Sequence, residues 1–199
     1  MPVLVTKNAP DFTATALFPG KKIDSFSLSS WKGKYIVLLF YPMDFSLLCP
    51  TEILAFHKKL KEFHDRNCRV AAVSTDSEYV HLAWSSTEIE KGGIGDIGFP
   101  LIADKTKDIT RMYGILHDHA VALRGLFLID KEGIVRHELI NDLPLGRSVE
   151  ETLRILDALK LYEKYGDVCP ADWKPGNDGI KPQKEAVIDY MAELYSTGL

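Results

Sequence analysis

Residues 35–41, Tyr-Ile-Val-Leu-Leu-Phe-Tyr, form an unbroken apolar run. A run of that length without alternation predicts a strand buried on both faces. Arg69 to Ser74, with Val70, Ala71, Ala72 and Val73, predicts a second. Between them, from Cys49 to Asn67, Ile53, Phe56, Leu60 and Phe63 recur at helical spacing, with Lys58, Lys59 and Lys61 on the other side. Strand, helix, strand in that order implies a parallel pair with a right-handed crossover.

Ser77 to Lys91 predicts a second helix, stopped by Gly92-Gly93, and Phe99 to Ala103 a short strand. Gly125 to Asp130 and Ile134 to Ile140 read as strands joined by a hairpin turn at Lys131-Glu132-Gly133. Ser148 to Tyr165 is the clearest helix. Ser148 and Glu151 fit a capping box, Val149, Leu153, Leu156 and Leu159 form an apolar stripe, and Gly166 ends it. The order is β-α-β, further helix, β-hairpin and final helix. It gives an α/β fold of the thioredoxin-like kind, a central mixed β-sheet flanked by helices. From Asp167 the chain changes character. Cys169-Pro170, Trp173, Pro175-Gly176 and Pro182 argue for an extended C-terminal arm, with a short terminal helix over Glu185 to Leu194. The expected division is a domain over 1–165 and an arm over 166–199.

Composition then narrows the function. In 199 residues, 46% are hydrophobic and 26% charged, which excludes a disordered or collagen-like chain. The net charge of −4 leaves no basic excess to neutralise phosphates, so nucleic acid is not the expected partner. The longest strongly apolar run, Tyr35 to Met43, contains Pro42 and falls short of the about 20 residues of a membrane helix. Met1 to Pro10 lacks the basic start and apolar stretch of a signal peptide, so the cytoplasm is the expected compartment. There a disulfide is more often catalytic than structural. Cys49, Cys68 and Cys169 are too few and scattered for a disulfide scaffold, no C-x-x-C occurs, and no Cys/His group has zinc spacing. His117-Asp118-His119 has no third ligand nearby and reads as a solvated loop.

The richest local signal is the stretch from Phe40 to Glu52. A buried strand ends near Pro42, and a helix begins near Cys49 with Pro50 in its first turn. Cys49 therefore sits at a helix N-terminus, where unpaired N–H groups and the helix dipole stabilise a thiolate. The same groups can hold a developing negative charge. The position is also the carboxyl end of a central strand, where open α/β sheets place their sites. The alternative is a small buried hydrophobe, since free cysteine is often buried.

Pro42, Ser46 and Cys49 match Pro-x-x-x-Thr/Ser-x-x-Cys, flanked by Phe40-Tyr41 and Pro50-Thr51-Glu52. With Ala9-Pro10-Asp11-Phe12, Val73-Ser74-Thr75-Asp76-Ser77, His81-Leu82-Ala83-Trp84, Gly92-Gly93-Ile94-Gly95, Ala122-Leu123-Arg124-Gly125 and Asp167-Val168-Cys169-Pro170-Ala171, the chain resembles the peroxiredoxins over almost its whole length. It is most similar to their typical two-cysteine class, which includes the alkyl hydroperoxide reductase C component.

The resemblance implies a thiol-dependent peroxidase acting on hydrogen peroxide and organic hydroperoxides, with no cofactor and no metal. It implies that Cys49 is the peroxidatic nucleophile and becomes a sulfenic acid. Ser46 stands at the hydroxyl donor, where most relatives carry Thr. Arg124 matches the arginine supporting thiolate and peroxide, and Pro42 the proline that shields the thiolate from water. Glu52 and Arg147 match a pair that orients Arg124, although an ordinary ion pair would look the same in sequence. Leu47-Leu48 replaces Phe-Val and keeps the pocket wall apolar. Cys169 matches the resolving cysteine, so the domain over 1–165 carries the peroxidase and the arm over 166–199 the resolving thiol. Residue spacing does not separate an intra-chain from an inter-chain disulfide. The family places the bond across a two-fold dimer, and dimers assemble into a decamer. The implied electron donor is thioredoxin or a flavoprotein disulfide reductase. Gly92-Gly93-Ile94-Gly95 resembles an element that slows resolution, while Tyr190-Met191 keeps half of the Tyr-Phe pair of over-oxidation-sensitive relatives. Cys68 has no family motif and reads as a bystander. Two other functions remain open at this point, a thioredoxin-like disulfide oxidoreductase, opposed by the missing C-x-x-C, and an oligomeric redox chaperone or relay.

Overall fold

The apolar run forms β3 (Tyr35–Phe40), buried at every residue, in a computed structural model that describes residues 3–196. Successive strand residues face opposite ways. Leu38 and Phe40 join a cluster with Ala71, Val73, Ile102 and Phe127, while Val37 and Leu39 are as fully enclosed on the other face. β4 (Cys68–Ser74) runs parallel to β3, with Tyr35 opposite Cys68 and Phe40 opposite Val73. Their crossover carries α1 (Cys49–Lys58) and α2 (Leu60–Asp65). The helix read as continuous to Asn67 is thus two: the backbone opens at Lys59 (φ −98°, ψ 7°), and the buried Phe56 and Phe63 rings stack across the break at 5.8 Å.

β1 (Thr13–Phe18), β2 (Lys22–Ser27), β5 (Leu101–Ala103), β8 (Arg124–Ile129) and β9 (Val135–Asn141) complete a seven-stranded sheet in the order β2-β1-β5-β4-β3-β8-β9. β3, β4 and β5 are parallel and the other pairings antiparallel, so the sheet is mixed as expected. The β1–β2 hairpin is not among the elements that the apolar pattern predicts. Its Thr-Ala-Thr-Ala alternation contrasts small residues only, and Pro19-Gly20 alone marks the turn, with Gly20 at φ 75°. The β8–β9 turn follows its sequence. Buried Asp130 accepts the N–H groups of Glu132 and Ile134, and Gly133 takes φ 93°. A small separate hairpin, β6 (Leu116–His117) and β7 (Val121–Ala122), places Asp118 and His119 in its turn.

α3 (Glu78–Ser86) starts where Ser77 accepts the Val80 N–H at 3.3 Å. It stops short of Lys91, which lies in a separate 3-10 turn ended by Gly92. The Trp84 indole donates to Gly92 O and the Ser85 hydroxyl to Gly95 O, both at 3.0 Å. Gly93 lies so close to α3 that a Cβ there would meet the Thr87 carbonyl oxygen at 2.0 Å. α4 (Asp108–Met112) begins beneath buried Asp104, which accepts the N–H groups of Ile109 and Thr110.

The chain divides into two compact units, through Val149 and from Glu150. The sheet belongs to the first. The second holds most of α5 (Val149–Tyr165) and all of α6 (Lys184–Ser196). Gly166 ends α5 at φ 74°, its N–H bonded to Tyr162 O at 2.8 Å. The segment that follows is closed by a bridge between Val168 and Ile180. Trp173 is buried within it, its indole donating to Asn177 O. No helix among the described residues is long and apolar enough to cross a membrane.

Candidate active site

β3 leads into an irregular stretch, residues 41–48, and Cys49 opens α1 with Pro50 in the first turn. The Thr51 N–H and hydroxyl both turn back to Leu48 O, at 3.0 and 2.7 Å, and tighten that turn. The Cys49 side chain is fully buried.

Arg124 begins β8, the antiparallel neighbour of β3, and so stands at the end of the sheet where Cys49 lies. It is buried rather than a surface strand arginine, with Nη1 3.4 Å from Cys49 Sγ. The same nitrogen donates to Glu52 Oε2 at 2.7 Å, and Nε donates to Leu143 O at 2.5 Å. Arg147 grips Glu52 from the other side. Its Nε and backbone N–H donate to Oε1 at 2.7 and 2.9 Å, and its Nη2 to Oε2 at 2.9 Å. Arg147 Nη1 reaches Phe40 O and Gly125 O, both at 2.6 Å, and ties the cluster to β3 and β8. Glu52 and Arg147 thus form a buried ion pair.

Burial works to raise the Glu52 carboxyl, but hydrogen bonds and charge from Arg147, then charge from Arg124, hold it below its ordinary pKa. Burial likewise pulls Arg147 down, opposed by Glu52. Two guanidiniums against one carboxylate leave a positive surplus next to the sulfur. That surplus faces the buried Cys49 sulfur, where it can stabilise negative charge that develops during a reaction.

Ser46 lies three residues before Cys49, and its hydroxyl is buried with no hydrogen-bond partner among the described residues. With buried Pro42, Leu48, Val121, Arg124 and Leu143 it lines an open depression of about 440 Å³. Cys49 lies beneath this lining rather than in it. Leu47 is fully exposed, and Leu48 supplies part of the apolar wall.

Cys169 lies in the second unit, partly buried, with Sγ 3.8 Å from Ala158 O. Burial raises its thiol pKa, opposed by Arg154 and reinforced by Asp167. Cys68 pairs with Tyr35 at the start of β3, at the opposite end of the sheet from the Cys49 turn. Asp44 and His81, to which no motif gives a role, meet in a buried hydrogen bond that joins the 41–48 stretch to α3. A lone acid inside the apolar Pro-Met-Asp-Phe segment is the signal that marks Asp44.

A buried cysteine sulfur at a helix start, beside a buried guanidinium on a thioredoxin-like sheet, is a candidate thiol-based redox site. Residues 5–138 match the AhpC/TSA family, and residues 158–192 the C-terminal domain of 1-Cys peroxiredoxin. The chain is 51% identical over 193 residues to alkyl hydroperoxide reductase C of Helicobacter pylori (strain J99), covering 96% of this chain and 98% of that one. It is 50% identical over 192 residues to the mitochondrial thioredoxin-dependent peroxide reductase of Mus musculus, covering 96% and 74%. The reduced 2-Cys peroxiredoxin of Plasmodium vivax superposes with a TM-score of 0.94 at 48% identity, over 96% of this chain and 100% of that one. The chain belongs to the AhpC/TSA family of peroxiredoxins, and it is an enzyme with thiol peroxidase activity.

Proposed function

We propose that Cys49 is the peroxidatic nucleophile and Cys169 the resolving thiol of a two-cysteine cycle that reduces hydrogen peroxide and organic hydroperoxides. The observation that carries this reading is the Arg124 guanidinium, bonded to Cys49 Sγ at 3.4 Å. The hydroperoxide enters the depression between Ser46 and Arg124. The Cys49 thiolate attacks the distal oxygen, an S–O bond forms, the O–O bond breaks, and the departing oxygen takes a proton to leave as water or an alcohol. Charge spreads over both oxygens in that displacement, so donors are needed on each. Ser46 supplies a hydroxyl and Arg124 a fork of N–H groups. Glu52 and Arg147 hold Arg124 in place, and buried Pro42 keeps water from the sulfur.

The Cys169 thiolate then attacks the sulfenic sulfur, hydroxide leaves and takes a proton, and a disulfide forms. The two Cα atoms must come within about 7 Å for that bond, so the Cys49 turn unwinds and the segment carrying Cys169 is released. Residues 1–165 act as the peroxidase domain and 166–199 as the arm, the bond crosses a two-fold dimer, and dimers assemble into a decamer. An external dithiol, from thioredoxin or a flavoprotein disulfide reductase, reopens the disulfide. The compartment proposed is the cytoplasm, where a disulfide is more often catalytic than structural.

The test is hydroperoxide consumption by the intact protein. Cys49→Ser abolishes it, whereas Cys169→Ser completes one round and then stalls with a thioredoxin-type donor. Oxidised wild-type protein runs as a dimer on a non-reducing denaturing gel. Consumption that survives Cys49→Ser overturns the assignment of the nucleophile, and a fully oxidised monomer overturns the inter-chain bond.

A further inference from the structure

Asp44 is an acid buried in the stretch that carries Pro42 and Ser46, and the peroxidatic chemistry leaves it without a task. Its side chain and that of His81 are completely enclosed. The carboxylate accepts from the Tyr41 hydroxyl on Oδ1 and from His81 Nδ1 on Oδ2, both at 2.7 Å. His81 Nε2 is buried without a partner among the described residues, so the ring spends its hydrogen bonding on Asp44. The Asp44 N–H donates to Asp76 Oδ2 at 2.9 Å, and Asp76 is fixed in turn by the Ser74 hydroxyl at the end of β4. One residue thus ties the stretch to the end of β3, to α3 and to the end of β4.

The next residue, Phe45, has φ 52°. That left-handed conformation is unfavourable for a non-glycine residue and persists only where its surroundings enforce it. The Phe45 ring rests near Trp84 of α3, with centroids 6.1 Å apart. Ser46, with its unpartnered hydroxyl, follows directly. The strained residue therefore stands between a residue held by three hydrogen bonds and the proposed hydroxyl donor. Burial raises the Asp44 carboxyl above its ordinary pKa, against the pull of His81, so the acid is kept there against a desolvation penalty.

We propose that Asp44, gripped by Tyr41 and His81, is a positioning residue for peroxide reduction: it enforces the left-handed turn at Phe45 and so aligns Ser46 with Arg124 across the depression above Cys49. The inference rests on the reading of Cys49 as the peroxidatic sulfur. Without the grip, the turn relaxes and the Ser46 hydroxyl moves. A displacement of about 1 Å in a reacting geometry lowers a rate by up to about 100-fold. Alkylation of Cys49 by iodoacetamide needs the sulfur but not Ser46, so it is insensitive to that displacement.

The test compares two rate constants of Cys49 in the full-length reduced protein, with hydrogen peroxide by stopped flow and with iodoacetamide. His81→Ala lowers the peroxide rate constant about 10–100-fold and leaves alkylation within about threefold. His81→Asn, whose amide nitrogen takes the place of Nδ1, restores most of the peroxide rate. Tyr41→Phe keeps the ring, removes one bond to Asp44, and lowers the peroxide-to-alkylation ratio about 3–10-fold; it decides the matter if His81→Ala does not fold. A folded His81→Ala with the wild-type ratio, a His81→Asn as slow as His81→Ala, or a Tyr41→Phe with the wild-type ratio each overturns the proposal. Wild-type protein that alkylates at Cys49 but ignores peroxide overturns the peroxidatic reading itself, a result distinct from any change confined to the variants.

Discussion

Arg124 binds Glu52 through the same nitrogen that reaches Cys49: Nη1 lies 2.7 Å from Glu52 Oε2 and 3.4 Å from Cys49 Sγ. Cys49 and Glu52 are three residues apart in α1, so helical spacing sets the sulfur and the carboxylate side by side under one guanidinium. Arg147 holds the other carboxylate oxygen and keeps Glu52 from turning away. The guanidinium is thus placed by a carboxylate whose own position the helix and a second arginine dictate.

Glu52→Gln leaves two buried guanidiniums to share one neutral amide. Removing one member of a buried ionic cluster typically costs about 3–5 kcal/mol. The expected result is a lower urea midpoint with an unchanged m-value, together with a peroxide rate constant for Cys49 reduced by at least about tenfold. A variant as stable and as fast as the wild type would show that the cluster does not hold Arg124.

Ser46 presents the opposite balance between stability and activity. Its hydroxyl is buried and has no partner among the described residues, so Ser46→Ala removes an unsatisfied group and leaves stability unchanged or slightly higher. The peroxide rate constant is expected to fall about 10–100-fold. Ser46→Thr keeps the oxygen and retains the rate. Thermal melts and stopped-flow traces on the two variants check both halves. A loss of stability in Ser46→Ala would mean that the hydroxyl already has a structural partner.

Acid stability separates two buried carboxylates of opposite sign. The Glu52 carboxyl is held below its ordinary pKa, so its contribution is complete above the unfolded value of about 4.3 and is lost as the pH falls through the folded value. The Asp44 carboxyl is raised by burial, so its penalty is relieved over the acid side of the range as it takes up a proton. Between about pH 6 and pH 3, Glu52→Gln is therefore expected to flatten the acid loss of the denaturation midpoint, and Asp44→Asn to steepen it. Equal slopes in the two variants would contradict the assignment.

The Cys169 thiol is raised by burial, with Asp167 adding to the shift and Arg154 opposing it. In a Cys49→Ser, Cys68→Ser background, the pH midpoint for its alkylation is expected above the free-cysteine value of about 8.5. Arg154→Gln moves the midpoint further up. A midpoint at or below that of free cysteine would mean that Cys169 is not packed against α5.

Much of the site was readable from residues close together in the chain. The β3 run, Pro50 in the first turn and Cys49 at the helix start are local features, set by the packing of alternate strand residues and by the unpaired N–H groups of a new helix. Arg124 and Arg147 were assigned only through resemblance, because no local rule states that a strand arginine will be buried. Burial follows from β8 lying antiparallel to β3, with Leu39 opposite Leu126, which carries residue 124 past the end of β3 to the sulfur. The β1–β2 hairpin escaped because alternation among small residues carries little amphipathic contrast. The break at Lys59 escaped because the apolar spacing continues across it.

By itself the sequence determined the β3–α1–β4 unit, the β8–β9 hairpin, α5 and which cysteine opens a helix, since each depends on neighbours within a few residues. Only the tertiary structure decided which charges face that cysteine and that Asp44 meets His81 across 37 residues of chain. Such contacts arise when sheet register and helix packing bring distant side chains into one dry space, where an unpaired charge is costly and each must find its counterpart.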